Sequence, residues 1–316
     1  MNWHHPLIEQ RADPHLSLVD GRYWFTASVP SYDAIEIRSA AAVGELPAAP
    51  PRVIWRRHDS GPMSFHVWAP ELHRIDGRWF IYFAASERDD IWKLRMYVLE
   101  CEGPDPLRDA WVERGQIHTP EEGFSLDATP FEHAGRRYLC WAQKSPPTES
   151  NLYLAELANP WRLKTAPVCI SRPTLAWERI GFCVNEGPAV LKRHGRVFIA
   201  YSAAATDANY CMGLLWADEQ ADLLAPESWH KSPTPVFATS EAAGQYGPGH
   251  NSFTTTPDGA TDLLVYHARN YRDIAGDPLN DPNRHTRVQA FGWRADGFPD
   301  FGTPVPDGPY TLPRTT

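Results

Sequence analysis

The sequence predicts an all-β protein in which one structural unit occurs five times. A short turn that contains glycine recurs along the chain and is followed each time by an extended segment, and these turn glycines are Gly21, Gly77, Gly135, Gly195 and Gly259. Their spacings of 56, 58, 60 and 64 residues are those of a repeat architecture. The chain also has 30 prolines in 316 residues and little helical periodicity, which disfavours helices because proline lacks an amide donor.

Each unit is expected to begin with a hairpin, since the segments after the glycines are rich in aromatic and β-branched residues. These predicted strands are 23–29, 79–84, 138–143, 197–202 and 262–267. Radial repetition of four-stranded sheets hides strand edges, so five units of about 60 residues predict a five-bladed β-propeller. We expect residues 1–316 to form a single domain. A strand at 286–293 and residues 6–10 are expected to close the last blade, and residues 218–229 to form one short helix or turn.

Composition excludes several classes of protein. The formal net charge of −9 disfavours nucleic acid or an anionic membrane as a partner, and no apolar run approaches the length of a membrane span. The first residues, Met1 to Pro6, do not resemble a signal peptide, which predicts a cytoplasmic location. The five cysteines lack metal-binding spacing and are expected to be reduced core residues.

Three carboxylates occupy corresponding places ahead of the hairpins of three units. Asp13 lies in Arg-Ala-Asp-Pro, Asp127 in Ser-Leu-Asp-Ala and Glu186 in Asn-Glu-Gly-Pro. The first strand of each propeller blade lines the central channel, so side chains at the starts of these strands converge at one mouth. Carboxylates held close together repel one another and their pKa values separate. Such a separation divides acid and base roles, as in glycoside hydrolysis.

Every one of these residues also has a structural interpretation. Asp13 before proline, and Asp127, suit turns, whereas Glu186 is a poorer turn residue. Because the three acids occupy the same place relative to the hairpin of their unit, the functional interpretation is favoured for all three acids. In the same place, blade 5 carries His250, either a core histidine or a ligand for an ion or water, and blade 2 carries Trp68, either core packing or a platform for the face of a sugar.

Five motifs, in order and at propeller spacing, resemble glycoside hydrolase family 43. They are Arg11–Pro14, His66–Glu71, Ser125–Ala128, Val184–Pro188 and Gly247–Ser252, and the likeness extends over essentially the whole chain, including Asp296–Gly302. That family consists of five-bladed propellers that hydrolyse arabinofuranosides and xylosides with inversion. The resemblance implies that Asp13 is the general base, Glu186 the general acid and Asp127 the residue that orients the acid and tunes its pKa.

The resemblance also implies weaker assignments around the pocket. Arg287 is expected to reach the bound sugar, Tyr32 to touch the leaving sugar and Trp68 to contact substrate. His250 is expected to lie near the base or to help hold an ion in the channel, commonly calcium. No cofactor is expected for the chemistry, and the sequence contains no dedicated calcium loop.

The motif set most resembles the exo-acting α-L-arabinofuranosidases that trim α-1,5-linked arabino-oligosaccharides. A β-xylosidase remains the main alternative, followed by an endo-arabinanase, because pocket shape cannot be derived from the motifs. A non-catalytic propeller that binds sugar or protein is a third kind of alternative. A retaining fructosidase is disfavoured, since the Asp-Pro-Asn at residues 281–283 lies at the wrong end of the chain for that group.

Overall fold

The computed structural model describes residues 1–145 and 148–313, which form an all-β, five-bladed β-propeller. Blade 1 contains four antiparallel strands, and blades 2, 4 and 5 repeat that order, while blade 3 has a fifth strand that pairs with its third. The described residues contain no α-helix and four short 3₁₀ helices, at Val43–Glu45, Ala176–Arg179, Pro226–Ser228 and Pro278–Asn280. The expectation of one short helix or turn within residues 218–229 is therefore met by a single 3₁₀ turn.

The five blades follow one another along the chain, with one strand before them and one strand after them. The first strand and blade 1 consist of β1 (Asn2–His5), then β2 (Ala12–Val19), β3 (Arg22–Ser28), β4 (Ala34–Ala40) and β5 (Arg52–Arg56). Blade 2 consists of β6 (Phe65–Ile75), β7 (Arg78–Glu87), β8 (Asp90–Cys101) and β9 (Trp111–Gln116). Blade 3 consists of β10 (Ser125–His133), β11 (Arg136–Ser145), β12 (Glu149–Asn159), β13 (Arg162–Leu163) and β14 (Val168–Ser171). Blade 4 consists of β15 (Asn185–Arg193), β16 (Arg196–Ala203), β17 (Cys211–Asp218) and β18 (His230–Lys231). Blade 5 and the last strand consist of β19 (Tyr246–Thr255), β20 (Asp262–Arg269), β21 (His285–Trp293), β22 (Pro299–Asp300) and β23 (Gly308–Thr311).

The first strands of the blades form a closed ring, because β2 contacts β6, β6 contacts β10, β10 contacts β15, β15 contacts β19, and β19 contacts β2. The apolar core lies between the blades. Five clusters of buried side chains fill the five interfaces between neighbouring blades, as Tyr82 and Trp141 do between blades 2 and 3. Large aromatic side chains suit these interfaces because each buries a large apolar area.

The predicted hairpins of the first four blades are confirmed. In each, two residues with positive φ connect the first and second strands, for example Asp20 at 52° and Gly21 at 72°. Two such residues make a type I′ turn, whose twist matches that of the flanking strands. The fifth turn differs, because Thr255 pairs with Asp262 and six residues lie between them.

The chain ends meet beside blade 5. The amide of Leu7 donates to the carbonyl of Thr286 at 2.8 Å, and the amide of Thr286 donates to the carbonyl of Ile8 at 2.9 Å, as expected for residues 6–10. Strand β1 also pairs with β23, which the sequence did not predict. None of the helices in the described range is long and apolar enough to span a membrane, and all five cysteines are free.

Candidate active site

A backbone irregularity at the start of the first strand places one residue of each blade at the mouth of the channel. The strand pairing shifts register there in every blade. One residue at each shift has a positive φ, and these residues are Asp13 (54°), Ala69 (46°), Asp127 (57°), Gly187 (53°) and His250 (45°). A bulge of this kind changes the direction in which a side chain points. Because the bulge recurs in every blade, the repeated structure brings one residue of each blade to the site.

Glu186 lies one residue before the corresponding position of its blade, which Gly187 occupies. The sequence placed all three acids at the same position, and this detail is wrong for Glu186. The amide of Gly187 donates to Oδ2 of Asp127 at 2.9 Å. The structure therefore brings Glu186 beside Asp127 through the backbone of the residue that follows it.

The bulges are linked by hydrogen bonds between neighbouring blades. The amide of Ala69 donates to Oγ of Ser28 at 2.8 Å, and the amide of His250 donates to Oγ of Ser202 at 2.7 Å. The amide of Asp13 donates to Nδ1 of His267 at 3.0 Å. Because each bond crosses a blade interface, the positions of the bulges around the channel are coupled.

Asp13 is buried among groups that stabilise its ionised form. Ser28 donates a hydrogen bond to its Oδ2 at 2.6 Å, and Nη1 of Arg284 lies 3.2 Å from its Oδ1. Nδ1 of His250 and Nδ1 of His267 each lie 3.4 Å from the same oxygen. Burial alone would favour the neutral acid, but Arg284, His250 and Ser28 outweigh it and hold the pKa of Asp13 well below its ordinary value.

Glu186 and Asp127 have the opposite electrostatic environment. Burial and the charge of Asp13 raise the pKa of Glu186 to about 7, against the hydrogen bond from Tyr210 at 2.7 Å. Burial likewise raises the pKa of Asp127, against the opposing effect of His250, and the neighbouring acids add to the increase. The Oδ1 atom of Asp127 is buried and has no hydrogen-bond partner among the described residues. Both groups therefore favour the protonated form at a pH where Asp13 is ionised.

An aromatic group borders the same mouth. The ring of Trp68 stacks on His66 at 4.4 Å between centroids and meets the edge of Tyr32 at 5.8 Å. Trp92, which is 53% exposed, packs against the rings of His66 and Trp68. The hydroxyl of Tyr32 accepts a hydrogen bond from Nη2 of Arg284 at 2.8 Å. Trp68 and Tyr32 therefore lie near Asp13, where the sequence placed them.

Arg287 does not lie at the mouth, and the sequence assignment of this residue to the sugar is not supported by the structure. Its side chain is fully buried and Nη1 lies 2.5 Å from Oδ1 of Asp307. The arginine that reaches Asp13 is Arg284, which precedes β21. Three residues along a strand cover about 10 Å, so an assignment that is wrong by three residues names a side chain that lies outside the site.

His250 lies beside Asp13, as the sequence indicated, but the described residues do not place it in a group of three metal ligands. The one such group within the ranges that the structure describes is His15, Glu71 and His73. Calcium takes six to eight oxygen ligands, and the described side chains offer such a set at neither place. Calcium at His250 stays a prediction.

Four residues at the site were missed in the sequence: Ser28, Tyr210, His267 and Arg284. Only Ser28 left a signal, because Ser28 and Ser202 both follow the turn glycine of their blade by seven residues. Tyr210 and Arg284 come from connections between the second and third strands, which share no pattern between blades. Tyr210 stacks on His267 with ring centroids 5.7 Å apart, and burial raises the pKa of Tyr210 well above its ordinary value, so its hydroxyl stays a neutral donor to Glu186.

We expect Gly187→Ala to lower the free energy of unfolding by more than Gly195→Ala does. Both glycines have positive φ, which costs alanine about 1–2 kcal/mol. A Cβ at Gly195 meets open space, whereas a Cβ at Gly187 lies 3.2 Å from Cγ and Nδ1 of His250. Denaturant unfolding of the two variants measures the difference, and equal losses would show that the contact with His250 is unimportant.

Known proteins resemble this chain over most of its length. An extracellular exo-α-(1→5)-L-arabinofuranosidase from Streptomyces avermitilis is 57% identical over 306 residues, which is 96% of this chain and 64% of that protein. An enzyme of the same name from Streptomyces chartreusis is 52% identical over 279 residues, covering 87% of this chain and 85% of that protein. The crystal structure of an α-L-arabinofuranosidase from Lactobacillus brevis is 57% identical, with a TM-score of 0.94 over 96% of this chain and 98% of that one.

Two facts about these relatives bear on the sequence analysis. The chain spans less than two thirds of the length of the S. avermitilis enzyme. The expectation of a cytoplasmic location is wrong, since both Streptomyces relatives are named as extracellular enzymes. A leader peptide is removed on secretion, so a folded domain carries no trace of it and its first residues are a poor guide to location.

The family assignment follows from the match over nearly the whole propeller. The family model described as glycosyl hydrolases family 43 matches residues 3–299. This range contains all five bulges and the three acids that they bring together. The chain belongs to family 43 of the glycosyl hydrolases.

Proposed function

We propose that this chain is an exo-acting α-L-arabinofuranosidase that releases terminal arabinose from α-1,5-linked arabino-oligosaccharides with inversion. The names of the two Streptomyces relatives support the substrate. The observation that carries the chemistry is the electrostatic division at the mouth, where Asp13 is held ionised while Glu186 and Asp127 are held protonated. We also propose that residues 1–316 act as one catalytic domain outside the cell.

Asp13 is the general base in this proposal. Its carboxylate takes a proton from the water that attacks the anomeric carbon. Because the pKa of Asp13 is lowered, the carboxylate is ready to accept a proton across the physiological range. Ser28 and Arg284 hold its two oxygens, so the carboxylate keeps one orientation.

Glu186 is the general acid and donates its proton to the glycosidic oxygen as the bond breaks. Attack by water on the opposite face completes an inversion in one step through a transition state that resembles an oxocarbenium ion. Tyr210 donates to Oε1 of Glu186, which leaves the other oxygen free to carry the proton. Asp127 positions Glu186 through the amide of Gly187, and in this proposal it also tunes the pKa of the acid.

Trp68, Tyr32 and His250 contact the bound sugar. The face of Trp68 suits an apolar sugar face, although its Nε1 is buried and has no hydrogen-bond partner among the described residues. Tyr32 shares Arg284 with Asp13, so a sugar that contacts Tyr32 lies within reach of the base. His250 is held at the mouth by its amide bond to Ser202.

A product assay tests the proposal. The chain is incubated separately with 1,5-α-arabinotriose and xylobiose, and the products are followed by chromatography and by NMR of the first anomer formed. We expect arabinose and arabinobiose from the triose, with inversion, and no reaction of xylobiose. Xylose from xylobiose would favour a β-xylosidase, a retained anomer would exclude the single displacement, and no reaction with either substrate would favour a binding propeller.

Arg284→Met tests the control of Asp13 by pH. An adjacent cation lowers a carboxyl pKa by about 1–3 units, so its removal raises the pKa of Asp13 by a similar amount. Activity requires ionised Asp13 and is lost as pH falls through its pKa. The acid limb of the profile of kcat/KM against pH therefore moves upward. The alkaline limb, set by the Glu186–Asp127 pair, also moves upward, because Arg284 lowers the pKa of Glu186. If the acid limb does not move, the ionisation of Asp13 does not set that limb.

A further inference from the structure

A cluster of metal-ligating side chains lies deeper in the channel than the three acids. It consists of His15 on β2 and of Glu71 and His73 on β6. One potential ligand atom from each residue lies within 4.8 Å of the others. His15 follows Asp13 by two residues on the same strand, so the cluster and the active site occupy different levels of one channel. The hydrolytic steps described above use none of these three residues.

The contacts within the cluster leave ligand capacity unused. Nε2 of His73 lies 2.7 Å from Oε2 of Glu71, and Thr129 donates to the same oxygen at 2.7 Å. The rings of His15 and His73 lie 4.6 Å apart. Nδ1 of His15 is buried and has no hydrogen-bond partner among the described residues. Since nearly all buried polar atoms in proteins have a partner, this nitrogen is available to a ligand.

We propose that His15, Glu71 and His73 bind a divalent transition-metal ion, with Zn²⁺ as the best match. Two imidazoles and one carboxylate form a ligand set that zinc uses with a fourth position left to water. Imidazole nitrogen suits zinc, copper and nickel, whereas calcium requires many oxygen ligands. Thr129, from blade 3, holds the carboxylate as an outer partner, so the ion ties three blades together.

The cluster has an entry route on the side of the hairpin turns. A cavity of about 130 Å³ is lined by His73, Glu132 and Arg137, among others. Glu132 lies near the end of β10, whose start carries Asp127, so this cavity opens on the face opposite the three acids. A metal ion therefore reaches His73 without passing through the active-site mouth.

Equilibrium dialysis of the full chain tests the proposal. The chain is stripped with a chelator and dialysed against Zn²⁺ or Ca²⁺, and bound metal and the midpoint of thermal unfolding are measured. We expect one equivalent of zinc and a midpoint that rises with zinc concentration, because an ion that binds only the folded state stabilises it. Calcium at the same concentrations is expected to change neither quantity.

Variants locate the ion. His15→Gln and Glu71→Gln are expected to weaken zinc binding by more than the roughly 10–100-fold that loss of an outer-shell partner costs. His118→Gln is the matched control, since His118 forms a pair with Glu122 at 3.0 Å but on the surface and without a third ligand. This control is expected to bind zinc like the unaltered chain.

Two results would overturn the proposal. One is the absence of zinc from the unaltered chain, and the other is equal zinc binding by His15→Gln and His118→Gln, which would indicate only adventitious binding. If the cluster variants fail to fold, Co²⁺ added to the stripped, unaltered chain decides the question. A tetrahedral site gives Co²⁺ strong visible absorption, and a spectrum like that of Co²⁺ in water would exclude the site.

Discussion

Asp13→Asn lowers kcat on 1,5-α-arabinotriose by about 10²–10⁴-fold, the usual contribution of a general base. Asparagine keeps the size of the side chain and can still accept the hydrogen bond from Ser28, but it cannot take a proton from water. Asparagine is also the better replacement for the backbone, because φ of Asp13 is 54° and asparagine adopts that region more readily than alanine. The change therefore removes the base and keeps the bulge.

The control for this variant is Asp258→Asn, at the hairpin turn of blade 5 on the far side of the propeller. It is expected to retain the activity of the unaltered chain. Circular dichroism and the unfolding midpoint show whether Asp13→Asn is folded. A folded Asp13→Asn enzyme with nearly normal kcat would remove Asp13 from the role of base.

Glu186→Gln lowers kcat on arabinotriose by a similar factor of about 10²–10⁴. Glutamine keeps the oxygen that accepts from Tyr210, but it has no acidic proton to give to the glycosidic oxygen. A 4-nitrophenyl arabinofuranoside has a leaving group that needs little protonation. We therefore expect a much smaller loss on that substrate, and we expect the alkaline limb of the pH profile to disappear.

The two substrates separate the loss of an acid from a general structural defect. A distorted site would slow both substrates equally, and equal losses would argue against Glu186 as the acid. Glu132→Gln, an exposed carboxylate near the end of β10, is the matched control and is expected to leave both rates unchanged. Burial raises the pKa of Glu186, so Glu186 loses its proton as pH rises through that pKa. Activity therefore falls on the alkaline side of the profile.

The hairpins show why the fold was accessible from the sequence. A type I′ turn needs two adjacent residues with positive φ, so Asp20-Gly21 and its counterparts encode the turn within a few residues. The interval between these turns then predicts the number of blades. The pairing of β1 with β23 carries no such local signal, because it joins segments from opposite ends of the chain.

The site shows the reverse situation for most of its residues. Asp13 and Asp127 recur at the same position of the repeat and Glu186 lies one residue before it, so the three acids could be found. Tyr210 and Arg284 lie in connections whose sequences share no pattern between blades. Arg287 was assigned from the family resemblance, whereas Arg284 reaches Asp13. Which of the two arginines reaches the site depends on where β21 begins against β20. Local composition determines neither the register of a strand nor the residue at which it starts.

Local chemistry in the chain was therefore sufficient for the all-β class, the five blades and the choice of three acids as candidates. Turn glycines and the alternating pattern of a strand each specify structure over a few residues. Because the same pattern occurs five times, each occurrence strengthens the prediction of the fold. The charge states at the mouth depended on the folded arrangement. The lowered pKa of Asp13 arises from partners such as Arg284, 271 residues away from Asp13 in the chain, and the raised pKa of Glu186 arises chiefly from burial. Electrostatic interactions depend on distance in space, which closure of the propeller sets.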